Sequence, residues 1–448
     1  MPLALVVVFG VVLWLAGGAS RPDAVGQVLV RGAAWAVLIL MALVGGRPRF
    51  GEVKPVALVL FAALLLVCVQ LIPLPPSIWQ ALPGRAIFAD AARLSGQVQP
   101  WRPLSLVPGA TINAAFSLVV PLAMLVLMTG LSASDRQRLP GMLLCLIVFS
   151  ALVGFLQFTG AGFDNPLVNE ATGEVSGLFA NRNHFALLMA MGCVLAPAWA
   201  FGRRHSARWR PPVALGMLLF FALMILASGS RAGLLLGALA LAAGLASAWS
   251  GIRRELGRYP RWVSFALIIG AVAVITISVL TSVAAGRAVS IERAFTLDPG
   301  QDMRTRGLPT VLAMIGEYFP IGSGVGGFDP VFRLHEPFSL LKPTYFNHAH
   351  NDFAEIALDA GLPGLLLLFA ALVWWGRASL QAWRSRSAEG VSARLGSALL
   401  MLTLVASMFD YPARTPMVMV IVVVAGCWLS DRNIRAHHSA LPRRDQHL

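Results

Sequence analysis

A chain of 448 residues that is 57% hydrophobic and 12% charged, with mean hydropathy +0.73, is not built like a soluble protein, in which roughly a quarter of residues carry charge. Its solvent is the bilayer, so its polar positions carry more information than its apolar ones. The net charge of +14 comes almost wholly from arginine and is spread over many loops, which argues against a nucleic-acid-binding domain, where it would gather on one face.

Twelve apolar stretches approach the length that spans a bilayer. They cover 3–18, 28–46, 56–74, 111–131, 141–160, 184–201, 213–228, 232–250, 262–285, 353–375, 395–409 and 416–430. The first has no basic leader and a second follows at once, so it reads as a membrane helix and not as a signal peptide. Only Ser228-Gly-Ser-Arg231 separates the seventh from the eighth. Cys68, Cys145, Cys193 and Cys427 each lie in an apolar run without metal-ligand spacing, and read as small core residues.

With the N-terminus inside, the short inside loops and the tail hold 21 Lys and Arg, and the longer outside loops hold 13. The positive-inside rule then places both termini in the cytoplasm. The tail 431–448, with His437, His438 and His447, reads as a solvated, disordered cytoplasmic segment. No short internal repeat or flexible linker is visible.

The outside loops hold the polar residues. In loop 75–110, prolines end the third helix, and Trp79 and Trp101 suit the membrane interface. This loop is expected to lie along the outer surface, without chemistry. Loop 161–183 leads into Asn183 and His184. Asn183 suits the N-cap of the sixth helix, while Arg182 and His184 either flank that helix or face a polar cavity. Arg231 stands at the membrane edge among small residues. It either snorkels to headgroups or binds a polyanion, for which a guanidinium is well shaped.

The longest polar interruption is 286–352. Arg304 and Arg306 precede a predicted short helix over 308–317, and Gly322-Ser-Gly-Val-Gly-Gly327 follows. These glycines either turn the chain or offer N–H groups to phosphate. The loop closes on Asn347-His-Ala-His-Asn-Asp352. His348 and His350 have three readings: ligands sharing a metal ion, a cap for the tenth helix, or a general base. In the third reading Asn347, Asn351 or Asp352 fixes the tautomer. Asp352 and Glu355 lie where a helix dipole favours anions.

Four of these elements, taken in order, resemble the O-antigen ligase/polymerase superfamily. They are Gly177-x-Phe-x-Asn-x-Asn183, then Ser228-Gly-Ser-Arg-Ala-Gly233, then Arg304 through Pro320-Ile-Gly-Ser-Gly-Val-Gly-Gly-Phe328, and His348-Ala-His-Asn351 leading into Ala360-Gly-Leu-Pro-Gly364. The resemblance covers about 141–375. It implies an all-α polytopic membrane protein of about twelve helices, GT-C-like, forming one membrane domain over 1–448. A large periplasmic loop, 286–352, would separate helices nine and ten.

The implied chemistry is a metal-independent, inverting transfer without a cofactor, at the periplasmic face of a bacterial inner membrane. A glycan leaves undecaprenyl pyrophosphate for a hydroxyl of an acceptor glycan or of lipid A-core, as in a surface polysaccharide polymerase or an O-antigen ligase. By position, Arg231 and Arg304 would hold the pyrophosphate, with Arg306 competing for the second place. His350 would activate the acceptor, with His348 the second choice. Asn347, Asn351, Asp352, Arg182 and His184 would support the site. Arg182 replaces the family's usual proline, and Leu308 stands where tryptophan is frequent. The rival class is a lipid-linked glycan flippase or another membrane transporter, which would place polar residues in mid-helix and relate two halves by a repeat.

Overall fold

The computed structural model describes residues 1–161, 163–168, 174–201, 207–262, isolated positions between 265 and 280, 303–341, 346–385 and 390–439, with side chains to residue 430. Residues 286–302 and 342–345 of the long loop, most of the ninth expected span, Arg203, Arg204 and residues 440–448 lie outside the described residues.

The N-terminal half contains α1 (Pro2–Ala16), α2 (Val25–Val44) and α3 (Lys54–Gln70), then the short α4 (Pro76–Trp79) and α5 (Ala86–Leu94). After these come α6 (Pro108–Ser117), α7 (Val119–Gly130), α8 (Ala133–Arg136) and α9 (Leu139–Phe158). Next are α10 (Arg182–Phe201), α11 (Arg210–Ala227) and α12 (Arg231–Leu256). Beyond the undescribed segment follow α13 (Met303–Tyr318), α14 (Phe328–His335), α15 (Asp352–Arg384), α16 (Val391–Ala406) and α17 (Pro416–Ser439).

Among the described residues, eight helices are long and apolar enough to cross a membrane, and three shorter apolar helices coincide with the first, eleventh and twelfth expected spans. The chain is therefore a polytopic α-helical membrane protein. α17 continues to Ser439, so the tail is helical to that point instead of disordered from 431.

α10 is the hub, with 89% of its apolar window buried, against 22% for α11 and 28% for α2, which keep most of theirs on the outside. Small residues let neighbours approach it closely. A side chain at Gly192 would meet Phe221 of α11, and one at Gly244 of α12 would meet the backbone of Cys193. Cys193 and Cys427 are core residues as expected, but Cys68 and Cys145 are exposed.

The loop after α3 does not simply lie on the surface. Pro73–Leu74 pairs antiparallel with Arg102–Pro103, and Arg85 is buried between them and the glycine run. Its guanidinium donates to Leu104 O at 2.8 Å and to Gly322 O at 3.0 Å. Burial pulls this group down to about 10. Ser105 N–H donates to Gln70 O and Leu106 N–H to Ser323 O, at 2.9 and 2.8 Å. The loop is thus a strap that clamps the glycine run onto the bundle.

Candidate active site

The starts of α10 and α13, the segment leading into α15 and the turn between α16 and α17 meet at one carboxylate, Asp410, which is 1% exposed. Asp410 follows directly on the turn closing α16, with its N–H bonded to Ala406 O at 3.0 Å. Asn181 Nδ2 and Asn183 Nδ2 donate to its Oδ2 at 2.9 and 2.6 Å. The Tyr411 N–H donates to Oδ1 at 3.1 Å, and His350 Nδ1 lies 3.0 Å from the same oxygen. Arg304 Nη2 stands 3.6 Å from Oδ2, while its Nη1 donates to Phe409 O at 3.1 Å. Burial alone would raise the Asp410 carboxyl. The His350 hydrogen bond and the positive charges around it, Arg304 among them, hold it below the ordinary carboxylate range.

The cap of α10 belongs to Asn181, whose side chain accepts from Asn183 N–H at 2.8 Å, and not to Asn183. Asn183 is thereby free to bridge two helices. Its Oδ1 accepts from Ser230 Oγ at 2.8 Å, and Ser230 is the N-cap of α12, accepting from Gly233 N–H at 2.9 Å. Arg231 is the next residue. It is exposed and has no ion pair among the described residues.

A second cluster lies alongside. His348 Nδ1 is 2.9 Å from Glu355 Oε1, and the Ala349 N–H donates to Oε2 at 2.9 Å. Arg414 reaches Asp352 at 3.3 Å, Glu355 at 3.1 Å and Asp359 at 3.8 Å. Burial would lower this guanidinium, but the three carboxylates raise it. Ser407 Oγ donates to Asp352 Oδ2 at 2.8 Å. Asp352 and Glu355 are therefore members of a buried ion cluster, and more than helix-start residues.

Tyr411 separates and orders the imidazoles. Its ring centroid is 4.2 Å from that of His348, 4.9 Å from His350 and 5.4 Å from His184. Burial, with the nearby Asp410 charge, pushes its hydroxyl up to about 12. Asn347 Nδ2 donates to that hydroxyl at 3.3 Å. His350 has φ 51°, the single non-glycine residue with positive φ among the described residues. Residues held in this sparsely populated region collect at functional sites.

Several expectations are corrected here. The histidines are oriented by Asp410 and Glu355, not by Asn347, Asn351 or Asp352. Asn351 caps α15, accepting from Phe353 and Ala354 N–H at 3.1 Å each. Arg304 and Arg306 do not precede a helix but lie within α13, which starts at Met303. Only Arg304 joins the cluster, because Arg306 turns to Ser339 O at 2.8 Å. Arg182 also stays apart, paired with Glu174 at 3.1 Å. His184 is 2% exposed with neither ring nitrogen bonded, so it is packed beside the site instead of facing a wide polar cavity. Among the described residues no group of three or more His, Cys, Asp or Glu is placed to hold a metal ion.

The glycine run offers no open phosphate cradle. The N–H groups of Gly322 and Gly327 bond to Tyr318 O and Gly324 O, and those of Ser323 and Gly324 to Leu358 O and Asp359 O. The Val325 N–H goes to Gln70 Oε1 and the Gly326 N–H to Asp359 Oδ2. All six amides in the run have internal acceptors, and φ of 88° at Gly322 lets the backbone press against Asp359 of α15, while 106° and 83° at Gly324 and Gly326 let it close on Ser105 and Ala110.

Asp410, Tyr411 and Arg414 escaped sequence reasoning because 410–415 looks like an ordinary short turn. A signal was present. Asp352, Glu355 and Asp359 are spaced i, i+3, i+7 on an otherwise apolar helix, so they share a face and require a buried cation. Arg414 is that cation.

The fold and this site define a multi-pass helical membrane protein with an ionised cluster at its helix ends. Residues 216–369 match the model of a family described as O-antigen ligase. The matched segment contains Arg231, Arg304, His348 and His350, and stops short of Asp410. No curated protein matches the chain. A match to a family of this description points broadly to glycan-transferring enzymes, with a lipid-linked glycan and an acceptor as the general kind of partner.

Proposed function

We propose that this protein transfers or polymerises a glycan carried on undecaprenyl pyrophosphate, moving it to an acceptor hydroxyl at the periplasmic face of the inner membrane. The observation that carries the reading is His350 held through Nδ1 against the buried, ionised Asp410, with Arg304 on the same carboxylate. An imidazole that donates through Nδ1 keeps its Nε2 lone pair for a proton, and the carboxylate stabilises the imidazolium that results.

His350 takes the proton of the acceptor hydroxyl. The hydroxyl oxygen attacks the anomeric carbon, and the bond to the pyrophosphate oxygen breaks on the opposite face, inverting the centre. Arg304 and Arg231 receive the negative charge that develops on the departing lipid pyrophosphate, which needs no metal in this scheme. What supports Arg231 in this role is its neighbour: Ser230 donates to Asn183, which donates to Asp410. His348, on its own carboxylate, is the second candidate for the base. The proposal includes a GT-C-like single membrane domain of about twelve spans over 1–448, with its core at 141–375, the loop 286–352 outside, and both termini and the tail 431–448 in the cytoplasm.

The test uses purified protein, undecaprenyl-pyrophosphate oligosaccharide and candidate acceptors. Elongated lipid-linked glycan marks a polymerase, and glycan on lipid A-core marks a ligase. Transfer to neither, with lipid-linked glycan crossing the bilayer instead, would establish the flippase alternative. Full turnover in His350→Ala would remove the base assigned here.

A further inference from the structure

α13 turns an almost uncharged face outward. Leu308, Leu312 and Phe319 are 38%, 55% and 41% exposed. Arg304, Leu308 and Leu312 are spaced i, i+4, i+8, and Phe319 prolongs the helix, its N–H bonded to Ile315 O at 3.0 Å. All four therefore share one side of α13. At the lower end, the Leu362 N–H donates to Pro320 O at 2.8 Å. This joins the stripe to Leu362, Leu366 and Phe369 of α15, which are 43%, 58% and 66% exposed. At the upper end, Arg304 donates to the Phe409 carbonyl, and Met408 and Phe409 are 53% and 42% exposed.

The stripe is continuous from a membrane-crossing helix to a guanidinium. Leu362 lies just past the kink at Gly361 within α15, and from there the stripe runs about 22 Å along α13. In water this would be an unpartnered apolar patch. Its junction with α15 makes the bilayer its surroundings. A phospholipid chain would satisfy the lower part. An occupant that follows α13 to its end needs a long hydrocarbon chain and an anion where Arg304 meets Asp410 and His350.

Resting on the transferase reading above, we propose that the polyprenyl chain of the donor lies along this face of α13. It enters sideways from the bilayer over Leu362, Leu366 and Phe369 and delivers its pyrophosphate to Arg304. α13 is then a rail for the carrier as well as the support of an arginine.

The experiment compares wild type with the L308Q/L312Q variant in proteoliposomes. Each receives one oligosaccharide pyrophosphate on an undecaprenyl or on a short farnesyl chain. Both positions are exposed, so the substitutions leave the packed core untouched. Losing the apolar contact should lower kcat/KM for the long-chain donor about tenfold, mainly through KM, and leave the short-chain donor within about twofold. An equal change with both donors, or with neither, overturns the rail. A diazirine in the polyprenyl chain reads the same contact without turnover. Photolysis of wild type should label 303–319, in competition with unlabelled undecaprenyl pyrophosphate, and labelling only elsewhere overturns the proposal. Competed labelling of 303–319 with no transfer from either donor would refute the transferase reading and leave the rail standing.

Discussion

His350 Nδ1 lies 3.0 Å from Asp410 Oδ1 across 60 positions of sequence. The imidazole comes from the end of the loop that precedes α15 and the carboxylate from the turn between the last two apolar helices. In the proposed reaction this contact selects the tautomer that keeps Nε2 as a base. Asp410→Asn should therefore lower kcat by about 10²–10⁴ with little change in KM. His350→Ala should cost about as much, and the double variant no more than the worse single one, because the two act as a unit. Steady-state transfer assays on the three variants check this, and additive losses would contradict it.

The same carboxylate sets a pH dependence of stability. Its folded-state pKa is depressed below the ordinary 3.8. The contribution is therefore fully present above that value and is lost as pH falls through the folded one. The gap in unfolding temperature between wild type and Asp410→Asn should be largest near neutral pH and should shrink once pH drops below 3.8. Thermal unfolding in detergent across an acid series measures it, and a gap that widens on acidification would contradict the ion pairing described.

Arg304 and Arg306 are two residues apart and are separated by what they face. Arg304→Ala should lower turnover by about 10²–10³. Arg306→Ala, which gives up a bond to the Ser339 carbonyl, should stay within about twofold of wild type. Equal losses in side-by-side assays would show that sequence position alone does not select the arginine.

Arg414 faces three buried carboxylates. Arg414→Ala leaves them uncompensated, and the expected destabilisation is about 3–5 kcal/mol. Asp359→Asn in that background should restore part of the loss by removing one charge. Unfolding temperature and yield of monodisperse protein report both effects.

Gly361 has φ 55°, and an added Cβ would overlap the Pro320 carbonyl oxygen. Gly361→Ala should destabilise by at least about 1–2 kcal/mol from the left-handed backbone alone. It should also loosen the seat of the glycine run on α15, so Arg85, bonded to Gly322 O, should become more accessible in hydrogen exchange of its surroundings.

Much of the frame was legible in the sequence. Apolar stretches marked most of the described long helices to within about four residues at each end, because a bilayer demands uninterrupted apolar runs and closed backbone hydrogen bonds, although α12 and α15 run six and nine residues past their expected ends. The break at Ser228-Gly-Ser-Arg231 is where α11 ends and α12 begins. Boundaries at polar segments were less legible. α13 starts five residues before the expected helix and carries Pro309 inside it, since packing of Val311 and Met314, 0% and 1% exposed, outweighs the proline. Asn183 had the composition of a cap, but Asn181 takes that role and leaves Asn183 to the bridge.

By itself the sequence determined a multi-pass helical chain whose chemistry gathers at one set of helix ends, and it singled out His350, His348, Arg304 and Arg231. Hydropathy and charge are properties of single segments, so they can be read along one dimension. Tertiary structure alone decided which groups meet. It joined His350 to Asp410, set Arg304 on that carboxylate and turned Arg306 away. It matched Arg414 to the acidic face of α15, and closed the glycine run on internal acceptors. Each is a pairing across distant segments, and a buried charge must find its partner wherever packing of the helices brings one within reach.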